Sequence, residues 1–145
     1  MINQTYTSEN ILGVTKKDKI KLDSPLSYMQ VSQDGLTRQN FERLKSFTGL
    51  DTETLARILA ITSRTIQRKK TTDTFKPDIS EKMLEIADIY AFGSIVFEQK
   101  GKLQQWMNTQ ILAIGNKKPV ELLSSSYGRR YIRQLLGRIE HGVFS

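Results

Sequence analysis

The candidates for general acid–base chemistry in this sequence are a group of three closely spaced acidic residues and the single histidine. Glu81, Glu85 and Asp88 are spaced three or four residues apart, so a helix would place them on one face. A solvated helix edge has the same spacing, and we favour that interpretation. His141, the one histidine, falls in the last turn of a predicted helix, where a cation complements exposed carbonyl groups. We therefore predict that the protein is not an enzyme.

Metal and cofactor chemistry has no support in the composition. The chain contains no cysteine and a single histidine, which leaves neither a thiolate zinc site nor an imidazole cluster. Its glycines are scattered singly, so no phosphate-binding loop is present. There is also no long apolar run and no signal-peptide pattern. We predict no metal, no cofactor, no small-molecule substrate and no membrane partner, and we expect a cytoplasmic protein.

A basic helix pattern near residue 64 favours nucleic-acid recognition. Residues 50–70 have the outline of a helix-turn-helix: a short helix, the turn "AIT" and then "SRTIQRKK". Ile66 would hold the second helix in place, while side chains near its N-terminus reach base edges in the major groove. Arg64 could pair with guanine and Gln67 with adenine, and the basic residues suit phosphates. The candidate DNA-binding residues are Ser63, Arg64, Thr65, Gln67, Arg68, Lys69 and Lys70.

The charge distribution agrees with this interpretation without proving it. The net charge is +7, and residues 1–76 carry 13 basic against 8 acidic residues, compared with 9 against 7 in residues 77–145. Such an excess indicates a polyanionic or acidic partner. The alternative is an ordinary solvated face, which any exposed helix of a basic protein can show.

Helical periodicity dominates the chain, and no segment is predicted to be a strand, so the expected fold is all-α. Residues 1–35 show no sustained period and are predicted to form an N-terminal arm with one short helix around "SPLSYMQ". Helix then begins near Thr37 and stops at Gly49, with Asp51 and Thr62 as the N-caps of the two helices that follow. "TTDTFKPDI" is predicted to be a linker because of its proline and small polar residues.

The C-terminal half is predicted to contain a central helix and an amphipathic last helix. Ser80 is the predicted N-cap of the central helix, which is apolar on so much of its circumference that it should be buried among several neighbours. The last helix should end with Gly142 in a left-handed conformation, so that Val143 folds back on the final turn. Phe144 would then either pack into its own core or contact a partner.

Four segments together resemble the Xre/ParS/MbcA-type antitoxins of RES-family toxin–antitoxin pairs. They are the helix "TSRTIQRKK", the "WM" at Trp106, "PVELL" from Pro119 and "YGRRYIRQLLGRIEHGVFS" from Tyr127. The resemblance runs from about residue 36 to residue 145. It implies an Xre-like helix-turn-helix domain over residues 36–76 and a small helical toxin-binding domain over residues 77–145, after the N-terminal arm 1–35.

The resemblance implies an antitoxin that binds a RES-family toxin, blocks its active-site cleft and represses its own operon by binding operator DNA. Such toxins resemble ADP-ribosyltransferases and act on NAD. Arginine can pair with carboxylates in a dinucleotide cleft, and two apolar residues would add contact area. Carried over by position, the toxin-binding residues are Arg129, Arg130, Arg138, Glu140, His141, Val143 and Phe144.

The chain departs from the family pattern between Trp106 and Pro119. The stretch "MNTQILAIGNKK" lacks the usual prolines, so the preceding helix is expected to extend further. Gly115 is retained, and Asn116 stands where a second glycine is usual. Because asparagine tolerates a left-handed backbone, we expect the turn to survive.

A homodimer is also expected, because a single small helix-turn-helix gains affinity from a paired half-site. The candidate dimer contact consists of Ile86, Ile89, Val96 and Phe97, with burial in the core of one chain as the alternative. Two other functions remain open. One is a stand-alone helix-turn-helix regulator whose C-terminal domain dimerises; the other is an antitoxin that binds only its toxin and no longer binds DNA.

Overall fold

The computed structural model describes residues 6–14 and 21–142, which fold into eight α-helices. These residues form no strand, and the two β-bridges among them are isolated pairings. The predicted all-α fold is thereby confirmed. The helices are α1 Ser8–Leu12, α2 Pro25–Asp34, α3 Arg38–Thr48, α4 Thr52–Ile58, α5 Ser63–Gln67, α6 Pro77–Phe97, α7 Lys100–Met107 and α8 Ser126–Glu140. None of those in the described ranges is long and apolar enough to cross a membrane.

The N-terminal segment packs into the core of the protein. The sequence predicted one short helix here, and the structure has two, α1 and α2. Helix α2 has Pro25 at its first position, where the missing amide proton costs nothing. Ile11, Leu12 and Val31 are buried. A five-residue helix such as α1 is too short to be stable alone, so its burial against α3 and α6 must stabilise it.

The predicted caps of α3, α4 and α5 are confirmed. Asp51 accepts the N–H of Thr54 at 2.7 Å, and Thr62 accepts the N–H of Thr65 at 3.1 Å. Gly49 ends α3 in the left-handed region, with φ +73°. These signals act over three or four residues, which is why the sequence could predict them.

The N-terminus of α6 lies four residues before the predicted one. Pro77 occupies the first helical position and Lys76 is the N-cap residue. Ser80 is buried inside the helix, where its hydroxyl accepts the N–H of Leu36 at 2.9 Å and donates to the carbonyl of Phe75 at 3.3 Å. The prediction of Ser80 as N-cap was therefore wrong, because its hydroxyl serves a long-range contact.

Helix α6 is the central helix, as predicted. It contacts α1, α2, α3, α7 and α8, and its residues are buried on every side except one stripe that includes Asp78, Glu81 and Glu85. One hydrophobic cluster includes side chains from all eight described α-helices. The helix-turn-helix and the C-terminal helices are therefore packed around the same core.

Helix α7 does not extend beyond Met107. The expectation of a longer helix was wrong, because the chain turns immediately and forms two 3₁₀ helices, Leu112–Ile114 and Pro119–Leu122. Gly115 and Asn116 both have a left-handed backbone, with φ +74° and +61°. The turn therefore survives with asparagine at its second position, as the sequence predicted.

Candidate functional site

Helices α4 and α5 form a helix-turn-helix with a tight connection. Leu55, Ala56 and Leu59 are buried where α4 meets the core. The turn is closed by the N–H of Ile61, which donates to the carbonyl of Ala56 at 3.0 Å. Ala60, inside the turn, has a φ of +59°, which is unusual for a residue with a side chain.

The outer face of α5 carries the polar and basic residues that the sequence singled out. Ile66 is the one buried residue of this helix. Because the helix is held from that side, the residues around Ile66 point away from the core. The exposed members of the predicted DNA-binding set are Arg64, Thr65, Gln67, Arg68 and Lys70. An exposed polar face is one requirement for a helix that reads the major groove.

Two members of the predicted set are more enclosed. Ser63 is half-buried at the start of α5. Lys69 is also half-buried, because its amine donates to the carbonyl of Thr74 at 2.8 Å and lies 5.0 Å from the ring centroid of Phe75. In this conformation Lys69 holds the chain after α5 and is already bonded within the protein.

Helix α8 presents one buried and one exposed face. Ile132, Leu135 and Leu136 are buried against the core. The helix begins at a close crossing with the preceding 3₁₀ helix: a Cβ atom added to Gly128 would lie 2.0 Å from the carbonyl oxygen of Leu122. Glycine is therefore required there to bring α8 into position.

Arg129 belongs to the interior and not to the exposed face. It is 7% exposed, and its Nε donates to the carboxylate of Glu85 on α6. Its Nη1 also donates to the carbonyl of Leu123 at 2.8 Å. The prediction of Arg129 as a toxin-contacting residue is corrected, because the donors that would meet a partner hold α8 onto α6. The sequence could not separate it from the neighbouring Arg130.

The exposed face of α8 retains most of the remaining predicted residues. Arg130, Arg138, Glu140 and His141 are all exposed, and Val143 and Phe144 lie outside the described residues. Gly142 has the predicted left-handed backbone, with φ +73°.

Tyr127, which the sequence did not single out as a site residue, lies on the same face. Its side chain is 78% exposed, and the guanidinium of Arg130 lies 5.6 Å from its ring centroid. Large exposed aromatics and arginines are enriched at protein–protein interfaces. The start of α8 therefore has the composition of a protein-binding surface.

The candidate dimer contact is corrected in part. Ile86 and Ile89 are 0% exposed and cannot contact a second chain unless the core opens. Val96 and Phe97 are half-buried near the end of α6, and the ring of Phe97 packs 5.6 Å from that of Trp106. Burial in the core of one chain, the alternative interpretation, therefore accounts for Ile86 and Ile89.

The three acidic residues that the sequence singled out, Glu81, Glu85 and Asp88, have different surroundings in α6. Glu81 is exposed, and Glu85 is bonded to Arg129. Asp88 accepts hydrogen bonds from the hydroxyls of Ser8 and Tyr28. The prediction of a solvated edge thus holds for Glu81 and was wrong for Asp88. Both Asp88 hydrogen bonds come from the N-terminal segment, so this carboxylate joins that segment to the central helix.

Burial and this hydrogen-bonding network perturb two pKa values. Desolvation raises the pKa of the Asp88 carboxyl, and the bonds from Ser8 and Tyr28 offset part of that effect. Desolvation and the bond to Asp88 raise the pKa of Tyr28 to about 12. Asp88 lies beside Arg130 and Arg133 in a cleft between α6 and α8. Among the described residues, no three His, Asp or Glu side chains come together as metal ligands.

Two family models match this chain, and each matched range includes part of α6. A model for the antitoxin Xre-like helix-turn-helix domain matches residues 29–88, and a model for the antitoxin Xre/MbcA/ParS C-terminal toxin-binding domain matches residues 93–142. Helix α1 and the start of α2 precede both ranges.

Two curated relatives, both named Antitoxin Xre, are similar in sequence. The protein of Yersinia enterocolitica (serotype O:8 / biotype 1B) is 36% identical over 93 residues, which are 63% of each chain. The protein of Photorhabdus laumondii subsp. laumondii is 25% identical over 117 residues, which are 79% of each chain. The match therefore spans less than two thirds of the Yersinia relative.

Fold and surface together define an all-helical protein in which a helix-turn-helix shares its core with a second helical unit. The two family models together match most of the sequence. The chain belongs to the Xre/MbcA/ParS family of antitoxins.

Proposed function

We propose that this protein is the antitoxin of a toxin–antitoxin pair and neutralises its toxin by direct binding. The observation that carries the proposal is the exposed face of α8, where Tyr127 and Arg130 stack within the range of the toxin-binding family model. The solvent-facing Arg138, Glu140 and His141 extend this surface toward the C-terminus. A partner with an acidic, concave surface would complement it.

We further propose that the toxin is a RES-family protein that consumes NAD and that α8 blocks its active-site cleft. Exposed arginines suit this role because their planar guanidinium groups pair with carboxylates even when partly desolvated. Arg130 and Arg138 supply those groups, while Val143 and Phe144 remain candidates for apolar contacts at the end of the chain. The antitoxin itself contributes no catalytic group in this mechanism.

Autorepression through α5 is the second part of the proposal. Arg64 and Gln67 are exposed on the reading face, and Arg68 and Lys70 follow them. Such side chains can read base edges and neutralise phosphates. We propose that the chain binds its operator as a homodimer and acts in the cytoplasm, where both operator and toxin would be present.

A charge-reversal experiment tests the toxin-binding face. Arg130→Glu combined with Arg138→Glu should abolish growth rescue in cells that express the neighbouring toxin gene from a separate promoter. The matched control is Lys76→Glu combined with Lys102→Glu, which reverses two exposed cations outside α8 and should rescue fully. Equal rescue by both variants would show that α8 is not the inhibitory surface.

The identity of the toxin has its own measurement. We expect a RES-type reading frame beside the gene. Its purified product should consume NAD and should lose that activity when this protein is added in stoichiometric amount. If no toxin binds while an operator fragment does, the protein is instead a stand-alone regulator.

A further inference from the structure

We propose that Arg38, at the start of α3, is a positioning residue that fixes the orientation of α5 for DNA reading. The proposal rests on the proposed operator binding. Arg38 lies outside the two helices of the helix-turn-helix. Its side chain contacts backbone carbonyl groups at the end of α5.

Helix α5 has few other restraints. It contains five residues, Ser63–Gln67, and Ile66 is the only one that is buried. A single apolar side chain fixes the distance of a helix from the core but leaves rotation about that contact open. Because α5 is so short, its last carbonyl groups depend on donors that follow the helix or lie outside it. Groups that bind those carbonyls therefore decide which way the reading face points.

The Arg38 guanidinium binds that end of the helix. Its Nη1 donates to the carbonyl of Lys69 at 2.7 Å and, at the longer distance of 3.4 Å, to the carbonyl of Gln67. A cation at a helix C-terminus is also favourable electrostatically. One side chain thus holds the carbonyls of the last residue of α5 and of the second residue beyond it.

Arg38 is itself held firmly against the chain that follows α5. Its backbone N–H donates to the carbonyl of Asp73 at 2.9 Å, and the next N–H, that of Gln39, donates to Thr71 at 3.1 Å. Its Nε lies 3.5 Å from the carboxylate of Glu42, and the Arg38 side chain is 31% exposed. The start of α3 and the segment after α5 therefore form one bonded unit with Arg38 between them.

A positioning role differs measurably from a phosphate contact. An arginine that binds a phosphate contributes to the salt dependence of binding, so its loss lowers the slope of log K against log salt by about 1. An arginine that orients α5 leaves the phosphate contacts in place. Its loss should then weaken binding to the correct sequence while binding to unrelated DNA changes little.

The test compares Arg38→Met, Arg38→Lys and the wild type on a duplex from the promoter of the chain's own operon and on a scrambled duplex. We expect Arg38→Met to lower operator affinity by about tenfold, the loss typical of one well-formed base contact, with an unchanged salt slope. Affinity for the scrambled duplex should stay within about twofold, because the non-specific term depends on phosphate contacts. Arg38→Lys keeps the charge and one donor and should recover part of the specific affinity.

Amide hydrogen exchange of the free protein gives an independent readout. In Arg38→Met the amides of Arg68 and Lys69, which close the last turn of α5, should exchange faster than in the wild type. Amides of α8 should be unchanged, which separates local loosening from global unfolding. Arg43→Met, on the same helix, is the control and should leave both exchange and operator affinity as they are.

These measurements distinguish a positioning role of Arg38 from a direct phosphate contact. Equal loss on both duplexes, with a salt slope reduced by about one phosphate contact, would overturn the positioning role in favour of direct contact. Unchanged operator affinity in Arg38→Met would overturn it entirely. If the wild type itself shows no preference for the promoter duplex, the proposed operator binding fails first, and the positioning role fails with it.

Discussion

Arg129 of α8 donates to the carboxylate of Glu85 on α6, and this pair joins the proposed toxin-binding helix to the centre of the fold. A second donor of the same guanidinium binds the carbonyl of Leu123, at 2.8 Å. One buried side chain therefore fixes α8 relative to both α6 and the preceding turn.

Replacing Arg129 should destabilise the protein. Arg129→Met keeps the stem but leaves the carbonyl of Leu123 without its donor, and an unsatisfied buried group costs about 1–3 kcal/mol. We expect the free energy of unfolding in urea to fall by about 2 kcal/mol. Arg130→Met, at the next and exposed position, is the control and should change stability by less than about 0.5 kcal/mol. Similar values for the two variants would contradict the structural role of Arg129.

Glycine at position 128 should be essential for the fold of α8. Gly128→Ala would place a methyl group against the backbone carbonyl of Leu122, and such overpacking costs about 1–3 kcal/mol or more. Gly137 lies on the same helix, and a Cβ added there meets nothing within 4 Å. Gly137→Ala should therefore stabilise the helix by about 0.5–1 kcal/mol. Thermal unfolding of the two variants should shift in opposite directions.

Glycine at position 60 should stabilise the helix-turn-helix. Ala60 has φ +59°, a conformation that costs an L-residue about 1–2 kcal/mol. Part of the gain from Ala60→Gly is lost to the greater freedom of glycine in the unfolded chain, so we expect a net increase of about 0.5 kcal/mol in the free energy of unfolding. Ala113→Gly, at a position without positive φ, should be destabilising. A loss of stability in Ala60→Gly would contradict the strain at this turn.

Asp88 should make stability depend on pH. Burial raises its pKa above the ordinary value of 3.8, against the opposing effects of Ser8, Tyr28 and Arg133. The folded state therefore holds the Asp88 proton more tightly than the unfolded chain. The resulting contribution to stability is present below 3.8 and is lost as the pH rises through the raised pKa.

The variant Asp88→Asn isolates this effect, because asparagine can still accept the two hydroxyl bonds but does not titrate. Measured in urea at stepped pH, the free energy of unfolding of Asp88→Asn minus that of the wild type should increase as the pH rises through that range. Asp78→Asn, at an exposed position of the same helix, is the comparison for general charge effects. A difference that does not change with pH would argue against a perturbed Asp88.

The sequence was most informative where structure depends on close neighbours. The caps at Asp51 and Thr62 and the left-handed glycine at position 49 were predicted because each requires only a few adjacent residues. Ser80 was assigned wrongly for the converse reason. Its hydroxyl bonds Leu36, which is 44 positions away, and no local pattern records that contact.

The candidate site was predicted by face and not by individual residue. A basic recognition helix and a cationic last helix follow from periodicity, but burial separates Arg129 from Arg130 and depends on how α8 packs against α6. The sequence did not single out Arg38, because its main partners are backbone carbonyl groups. Every residue has such a group, so no sequence pattern reveals the contact. Ile86 and Ile89 belong to a helix that is apolar on most sides, so the sequence could not distinguish self-burial from a dimer contact.

Helix α6 runs from Pro77 to Phe97 and so contributes to both family-matched ranges, 29–88 and 93–142. Because neither range can keep its core once that helix melts, we expect a single calorimetric peak whose van't Hoff enthalpy equals the measured enthalpy. A protease that pulls on either end of the chain would then abolish the proposed toxin binding and the proposed operon repression at the same moment.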